Sequence, residues 1–435
     1  MKKGFYTIMA AQFFSSLADN ALLIAAIALL KDLHAPNWMT PLLKLFFVLS
    51  YVVLAAYVGA FADSRPKGRV MFITNSIKVV GCLIMLFGAH PLIAYGIVGF
   101  GAAAYSPAKY GILTELLPAD RLVAANGWIE GTTVSSIILG TVLGGALISP
   151  HIAAHVIAHT PAWIGTPAEA AMAIIMAIYV VAALFNLRIP DTGARYPKQE
   201  RGPVKLLTDF ADCFMVLWRD KLGQISLAVT TLFWGAGATL QFIVLKWAEV
   251  SLNMSLSEGA ILQAVVAVGV AAGAIAAAAR IPLKKSLTVL PVGIIMGIAV
   301  MLMAFYTRDL FPSHWAVHFG HLRLPFYLIV AYIFLIGVGA LSGYFVVPMN
   351  ALLQHRGHVL LSAGHSIAVQ NFNENLSVLV MLCLYAVLVW LDVPVGVVIV
   401  LFGTFVCLTM WLVMRRHQAN QRQFDSVALI GESRH

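Results

Sequence analysis

Asp19 and Asn20 interrupt an apolar stretch running from about residue 5 to residue 31, and Gln12, Ser15 and Ser16 precede them at three- and four-residue intervals. On a helix these five side chains form one polar stripe, which is expected to line something wet. A carboxylate at bilayer depth costs several kcal/mol unless it faces a bundle interior or a water-filled cavity, so Asp19 marks a functional position. Lys78 and Glu130 stand about eight and nine residues into two further apolar stretches, which at about 1.5 Å per residue places them at similar depth. Two readings stay open for them: a structural ion pair, or a pair that separates when Lys78 takes an anion. Lys109 follows Pro107, where a proline is expected to interrupt the helix and free backbone groups. It reads as a phosphate or gate contact, or as a lysine snorkelling to the headgroups. Asn371, Glu374 and Asn375 share a helical face, with Gln370 beside them. Gln241 is a milder polar residue whose neighbours Gly235 and Gly237 are expected to soften its helix.

These side chains need elements to hold them at depth, and the composition says which. Hydrophobic residues make up 60% of the 435 and charged residues 11%, against about 25% charged in soluble domains. The chain reads as an all-α integral membrane protein. About twelve segments have the roughly 20 apolar residues a span requires: 5–31, 41–62, 70–89, 91–113, 121–148, 169–188, 223–248, 257–281, 286–306, 325–348, 362–390 and 394–414. Lys and Arg concentrate in alternate loops, among them Arg65, Lys67, Arg69, Lys284, Lys285, Arg415 and Arg416. The opposite loops hold little beyond Lys31, Arg308 and Arg323. This positive-inside asymmetry predicts that both termini are cytoplasmic. It also accounts for the net charge of +9 through topology and anionic lipid contact, and no nucleic-acid partner is expected.

Several other chemistries are excluded or unsupported. The N-terminal apolar segment outruns a signal-peptide core and is read as a retained first span. Cys82, Cys383 and Cys407 lie in apolar segments and Cys213 in a polar stretch, so no disulfide is expected. His151, His155 and His159 recur every four residues, but only Glu169 could join them, and no metal site or cofactor is assigned. Neither a Gly-rich phosphate loop nor a G-x-S-x-G elbow occurs, so no enzyme activity is expected.

The stretch after Arg188 is polar, basic and broken by Pro and Gly. It divides the chain into a six-helix half at 1–189, a cytoplasmic linker at 190–222, a second six-helix half at 223–415 and a tail at 416–435. Six plus six spans outline the major facilitator fold. In that fold the first and eleventh spans are expected to face one cavity, with Asp19 and Glu374 jointly holding an amine or a coupling cation. The loop from Gly59 to Arg69 (GAFADSRPKGR) resembles the facilitator signature, although two extra residues separate Asp63 from Gly68 and Arg69. The resemblance implies that Gly59, Asp63 and Arg69 serve gating.

A more specific resemblance runs over nearly the whole chain. Its segments are FFSSLADNA at 13–21, ADSRPKGRV at 62–70, GFGAAAYSPAKYGIL at 99–113, LFWGAGATL at 232–240 and AVQNFNENLS at 368–377. The chain resembles the lysophospholipid transporter family of Gram-negative inner membranes, most specifically over Tyr105 to Gly111, and Tyr105 joins the candidates on that ground. The resemblance implies a multi-pass protein of the cell inner membrane. It would carry lysophosphatidylethanolamine and lysophosphatidylglycerol from the outer to the inner leaflet for re-acylation. The re-acylating partner, an acyltransferase with acyl carrier protein synthetase activity, is expected to be separate from this chain. In that family a basic residue is expected where Gln241 stands, so one phosphate clamp is missing here. The alternative is a cation-coupled facilitator of a small polar solute or drug, with Asp19 or Glu374 as the proton site.

Overall fold

A computed structural model describes residues 3–63, 65–116, 119–193, 202–312, 314–319, 322–361 and 363–430. Two compact units emerge, Met1–Leu207 and Thr208–His435. The first contains α1 (Lys3–Asp32), α2 (Met39–Val53), α3 (Val58–Asp63), α4 (Lys67–Leu86), α5 (Pro91–Leu116), α6 (Ala119–Ile148), α7 (Pro150–Ala158) and α8 (Pro167–Leu187). A further helix, α9 (Pro203–Arg219), begins at its end and runs into the second unit. There follow α10 (Gly223–Ser251), α11 (Leu256–Arg280), α12 (Leu290–Leu302), α13 (Phe326–Leu360), α14 (Ala363–Trp390) and α15 (Val395–Gln423). A hairpin of β1 (Ala316–Phe319) and β2 (Leu322–Pro325), pairing Val317 with Leu324, precedes α13.

Every expected span falls largely on helix. Among the described residues nine helices are long and apolar enough to cross a bilayer, or ten if a bent pair in α6 and α7 is one span. The bend is 70° and has a local cause. Pro150 begins α7 and holds Ser149 extended at φ −66°, ψ 142°, which a continuing helix cannot adopt. The expected span 41–62 is likewise not one helix, because turn residues Leu54 to Tyr57 separate α2 from α3. The polar stretch read as linker contains α9, whose Leu217 is buried against Leu227, Leu353 and Val369, with Phe210, Phe214 and Trp218 packed around them.

The outward faces are apolar, with Ile275, Phe305 and Ile333 among the large side chains left exposed. That is what hydrocarbon solvation requires, since the backbone is satisfied within each helix. Close helix contact comes from glycines. A Cβ on Gly140 or Gly144 of α6 would fall 2.5 Å from the Leu17 carbonyl oxygen or 2.8 Å from that of Ala21, so α6 lies directly on α1. In the second unit Gly269 and Gly273 of α11 lie against the backbone of Ile336 and Ala340 of α13, and Gly339 and Gly343 of α13 against that of Val266 and Val270. The α1–α6 contact, with α8 on another face of α1, fixes the segment that carries Asp19.

Candidate functional site

In the first unit Asp19 is the hub of a charged network. Its Oδ2 accepts from Lys78 Nζ at 2.7 Å and its Oδ1 from the Tyr179 hydroxyl at 2.7 Å. The Tyr95 hydroxyl donates to the Asp19 backbone carbonyl at 3.2 Å. Lys78 also donates to Ser15 Oγ at 2.9 Å, and Ser15 donates onward to Asn75 Oδ1 at 2.7 Å. The Lys78 ammonium rests 5.4 Å from the Tyr105 ring centroid and 5.8 Å from that of Tyr179. Its side chain is 2% exposed and that of Asp19 17%, so the carboxylate is the more accessible member of the pair.

This arrangement revises the sequence-based pairing. The carboxylate on Lys78 is that of Asp19; the side chain of Glu130 lies outside the described residues, as do those of Gly59 and Asp63. The polar stripe of α1 is not uniformly wet, because Gln12 and Ser15 are buried, with Gln12 donating to Thr133 Oγ1 at 2.7 Å. Asn20 is half-buried and donates to the Ser16 carbonyl. Tyr105 is buried, and its hydroxyl has no hydrogen-bond partner among the described residues. Pro107 does not interrupt α5, which continues to Leu116; Lys109, half-buried, lies over the Tyr110 ring at 4.5 Å. Arg69 is exposed, and the buried basic residue of that loop is Lys67, which donates to the Ala62 carbonyl at 3.0 Å and faces Glu115 at 3.9 Å.

The second unit holds amides at comparable positions along its helices. Gln241 Nε2 donates to Gln263 Oε1 at 3.2 Å, and Gln263 Nε2 returns a bond to the Gln241 carbonyl at 2.6 Å, joining α10 to α11. Glu374 is buried and accepts from Gln370 Nε2 at 2.7 Å; Gln370 also reaches Asn350 of α13 at 3.2 Å. Asn371 and Asn375 are half-buried, and Asn375 donates to the Asn371 carbonyl. Gly235 does not loosen α10: a Cβ there would strike Ser377, so it admits α14 at close range, whereas Gly237 faces open space. A charged pair stands at a helix end. Arg356 of α13 grips Asp220 at 2.7 and 3.1 Å, while Asp220 caps α10 by accepting from the backbone of Leu222 and Gly223.

The family model described as Major Facilitator Superfamily matches residues 8–381. The chain belongs to the major facilitator superfamily. This facilitator is 40% identical to the lysophospholipid transporter LplT of Yersinia enterocolitica serotype O:8 / biotype 1B over 396 residues, 91% of this chain and 89% of the relative. It is 39% identical to that of Yersinia pestis (strain Pestoides F) over the same shares. Among solved structures it resembles the nucleoside transporter NupG, with a TM-score of 0.67, 11% identity, and 95% of this chain and 99% of that one covered. A bacterial homolog of the human lysosomal transporter Spinster, inward-facing and unoccupied, gives 0.68 at 16% identity over 96% and 98%. These structural likenesses establish the fold, and the facilitator is a multi-pass membrane protein.

Sequence reasoning missed Tyr95, Tyr179 and the Asp220–Arg356 pair. Aromatic residues in an apolar run carry no signal of a polar partner, and these contacts close over 76, 160 and 136 residues.

Proposed function

We propose that this facilitator moves lysophospholipids, lysophosphatidylethanolamine and lysophosphatidylglycerol among them, from the outer to the inner leaflet of the cytoplasmic membrane by alternating access. Beside the 40% identity to LplT, one observation carries the reading: a buried ammonium and a more accessible carboxylate, 2.7 Å apart, inside apolar helices. A zwitterionic headgroup can replace that pair charge for charge, its phosphate taking Lys78 and its amine taking Asp19, so no net charge is left unpaired in the low dielectric. Tyr105, Asn20 and Lys109 are proposed to contact the cargo from the same unit. Gln241, Asn371, Glu374 and Asn375 are the second unit's candidates, and Glu130 remains a candidate in the first. Gly59, Asp63 and Arg69 are proposed for gating. The excess of Lys and Arg in alternate loops supports cytoplasmic termini, and a separate acyltransferase would consume the delivered lipid.

The test is uptake of labelled lysophosphatidylethanolamine into proteoliposomes. Protein-dependent, saturable movement is expected. Movement no faster than in empty liposomes, together with accumulation of a sugar or drug, would sink the lipid assignment in favour of a small-solute carrier.

A further inference from the structure

Lys44 is absent from the sequence-derived candidates, yet it is the sixth residue of α2, inside an apolar helix. It is half-buried and forms no ion pair among the described residues, whereas Lys78 is held by Asp19 and Lys67 faces Glu115. Its ammonium lies 5.3 Å from the Phe47 ring centroid. Phe47 packs on Tyr95 at 4.9 Å, and Tyr95 donates to the backbone carbonyl of Asp19. The shelf is rigid: Phe47 and Tyr95 are buried, and Gly99 lets α5 touch the α2 backbone at Phe47. An ammonium with no ion pair among the described residues thus sits on an aromatic surface that leads to the charged hub.

Depth orders three cations of this unit, Lys44, Lys78 and Lys109. Counted along their helices at about 1.5 Å per residue, Lys44 is about 8 Å from the start of α2, and Lys78 about 12 Å from the end of α4. Lys109 is about 27 Å from the start of α5. Those three helix ends lie on one side of the membrane, because successive spans alternate in direction, and with a cytoplasmic N-terminus that side is the outer one. A cation without a counter-ion in hydrocarbon is costly, and the cost falls when an anion arrives. An ammonium on an aromatic face keeps part of its stabilisation until then.

We propose that Lys44 is the first receptor for the phosphodiester of the lysophospholipid headgroup. It takes the anion at the outer end of the first unit before the headgroup displaces the Asp19–Lys78 pair. This rests on the function proposed above and adds a residue and an order of events.

The experiment measures lysophosphatidylethanolamine uptake in proteoliposomes for wild type, Lys44→Ala, Lys44→Arg and Lys44→Met. In a detergent lacking phosphate, it also measures binding of lysophosphatidylethanolamine and of monoacylglycerol, which carries no phosphate. The alanine and methionine variants are expected to raise the half-saturating concentration roughly tenfold, with the maximal rate within about twofold. Arginine is expected to restore it, and monoacylglycerol binding to stay unchanged. Methionine keeps the apolar stem and serves if alanine does not fold. Wild-type half-saturation in the methionine variant overturns the proposal, as does an equal loss for monoacylglycerol, which would make Lys44 a packing residue. A wild type that moves no lysophospholipid overturns the proposed function and this inference together, whereas active wild type with unaffected variants overturns this inference alone.

Discussion

In the first unit Asp19 meets a full opposite charge, the Lys78 ammonium, and the neutral hydroxyls of Tyr179 and Ser15 tie into the same buried network. In the second unit the polar groups around Gln241 and Gln370 are mostly amides, and the closely gripped ion pair, Asp220 with Arg356, sits where α10 begins. Both units bury an ion pair at 2.7 Å, but the surroundings differ. Asp220 also caps a helix and meets the planar Arg356 fork twice, so its oxygens are committed to structural bonds. Asp19 keeps some exposure and binds a single lysine nitrogen, which a competing anion can draw away. Burial of opposite charge alone therefore does not identify a binding site, and the role proposed for Asp19 and Lys78 rests on the exchangeability of the partners.

The sharpest way to break that distinction is to remove the first pair in two ways. Asp19→Asn leaves Lys78 charged and buried, which costs about 3–5 kcal/mol for a broken buried pair, and uptake is expected to fall by at least roughly tenfold. The double change Asp19→Asn with Lys78→Met removes both charges, and such replacements are often neutral or stabilising. Thermal unfolding in detergent should return towards wild type while uptake stays lost. Recovery of uptake in the double variant would make the pair structural and erase its difference from Asp220–Arg356.

The converse change tests the second pair. Asp220→Ala removes the carboxylate that Arg356, 3% exposed, grips twice, and uncaps α10, so a loss of about 3–5 kcal/mol is expected. Transport per folded molecule should remain. Asp220→Asn preserves an acceptor for the cap and should be milder. A transport defect in Asp220→Asn without a shift in unfolding temperature would show that this end of α10 also works in the transport cycle.

How much of this is legible beforehand varies with the kind of signal. Asp19, Lys78 and Glu374 stand out because a charge in an apolar run is conspicuous whatever its partner, and the apolar runs themselves mark the spans. Lys44 escapes notice because a lysine six residues into a helix reads as one snorkelling to the surface; its shelf depends on Phe47 meeting Tyr95 of another helix. The break at Leu54 to Tyr57 carries neither Pro nor Gly and leaves no mark. Helix α9 is hidden by the polar, Pro- and Gly-broken residues before it, although Phe210, Phe214, Leu217 and Trp218 recur at helical spacing and pack within the second unit. Pro107 misleads because a proline signals a break, whereas α5 carries it inside a continuous helix.

The smallest effect is expected at the amide pair of the second unit, and it bears on the comparison most directly. Gln241 and Gln263 satisfy one another across α10 and α11, one bond through side chains and one to a backbone carbonyl. Interhelical hydrogen bonds of this type in membranes average about 0.6 kcal/mol, so Gln263→Leu should lower the unfolding temperature only slightly. The half-saturating concentration for lysophosphatidylethanolamine should stay within about twofold, because Gln241, a candidate contact, keeps its own amide and supplies no charge for a phosphate. A several-fold rise in that concentration at unchanged stability would mean that the amides bind the headgroup, and the charged chemistry assigned to the first unit would be shared by both.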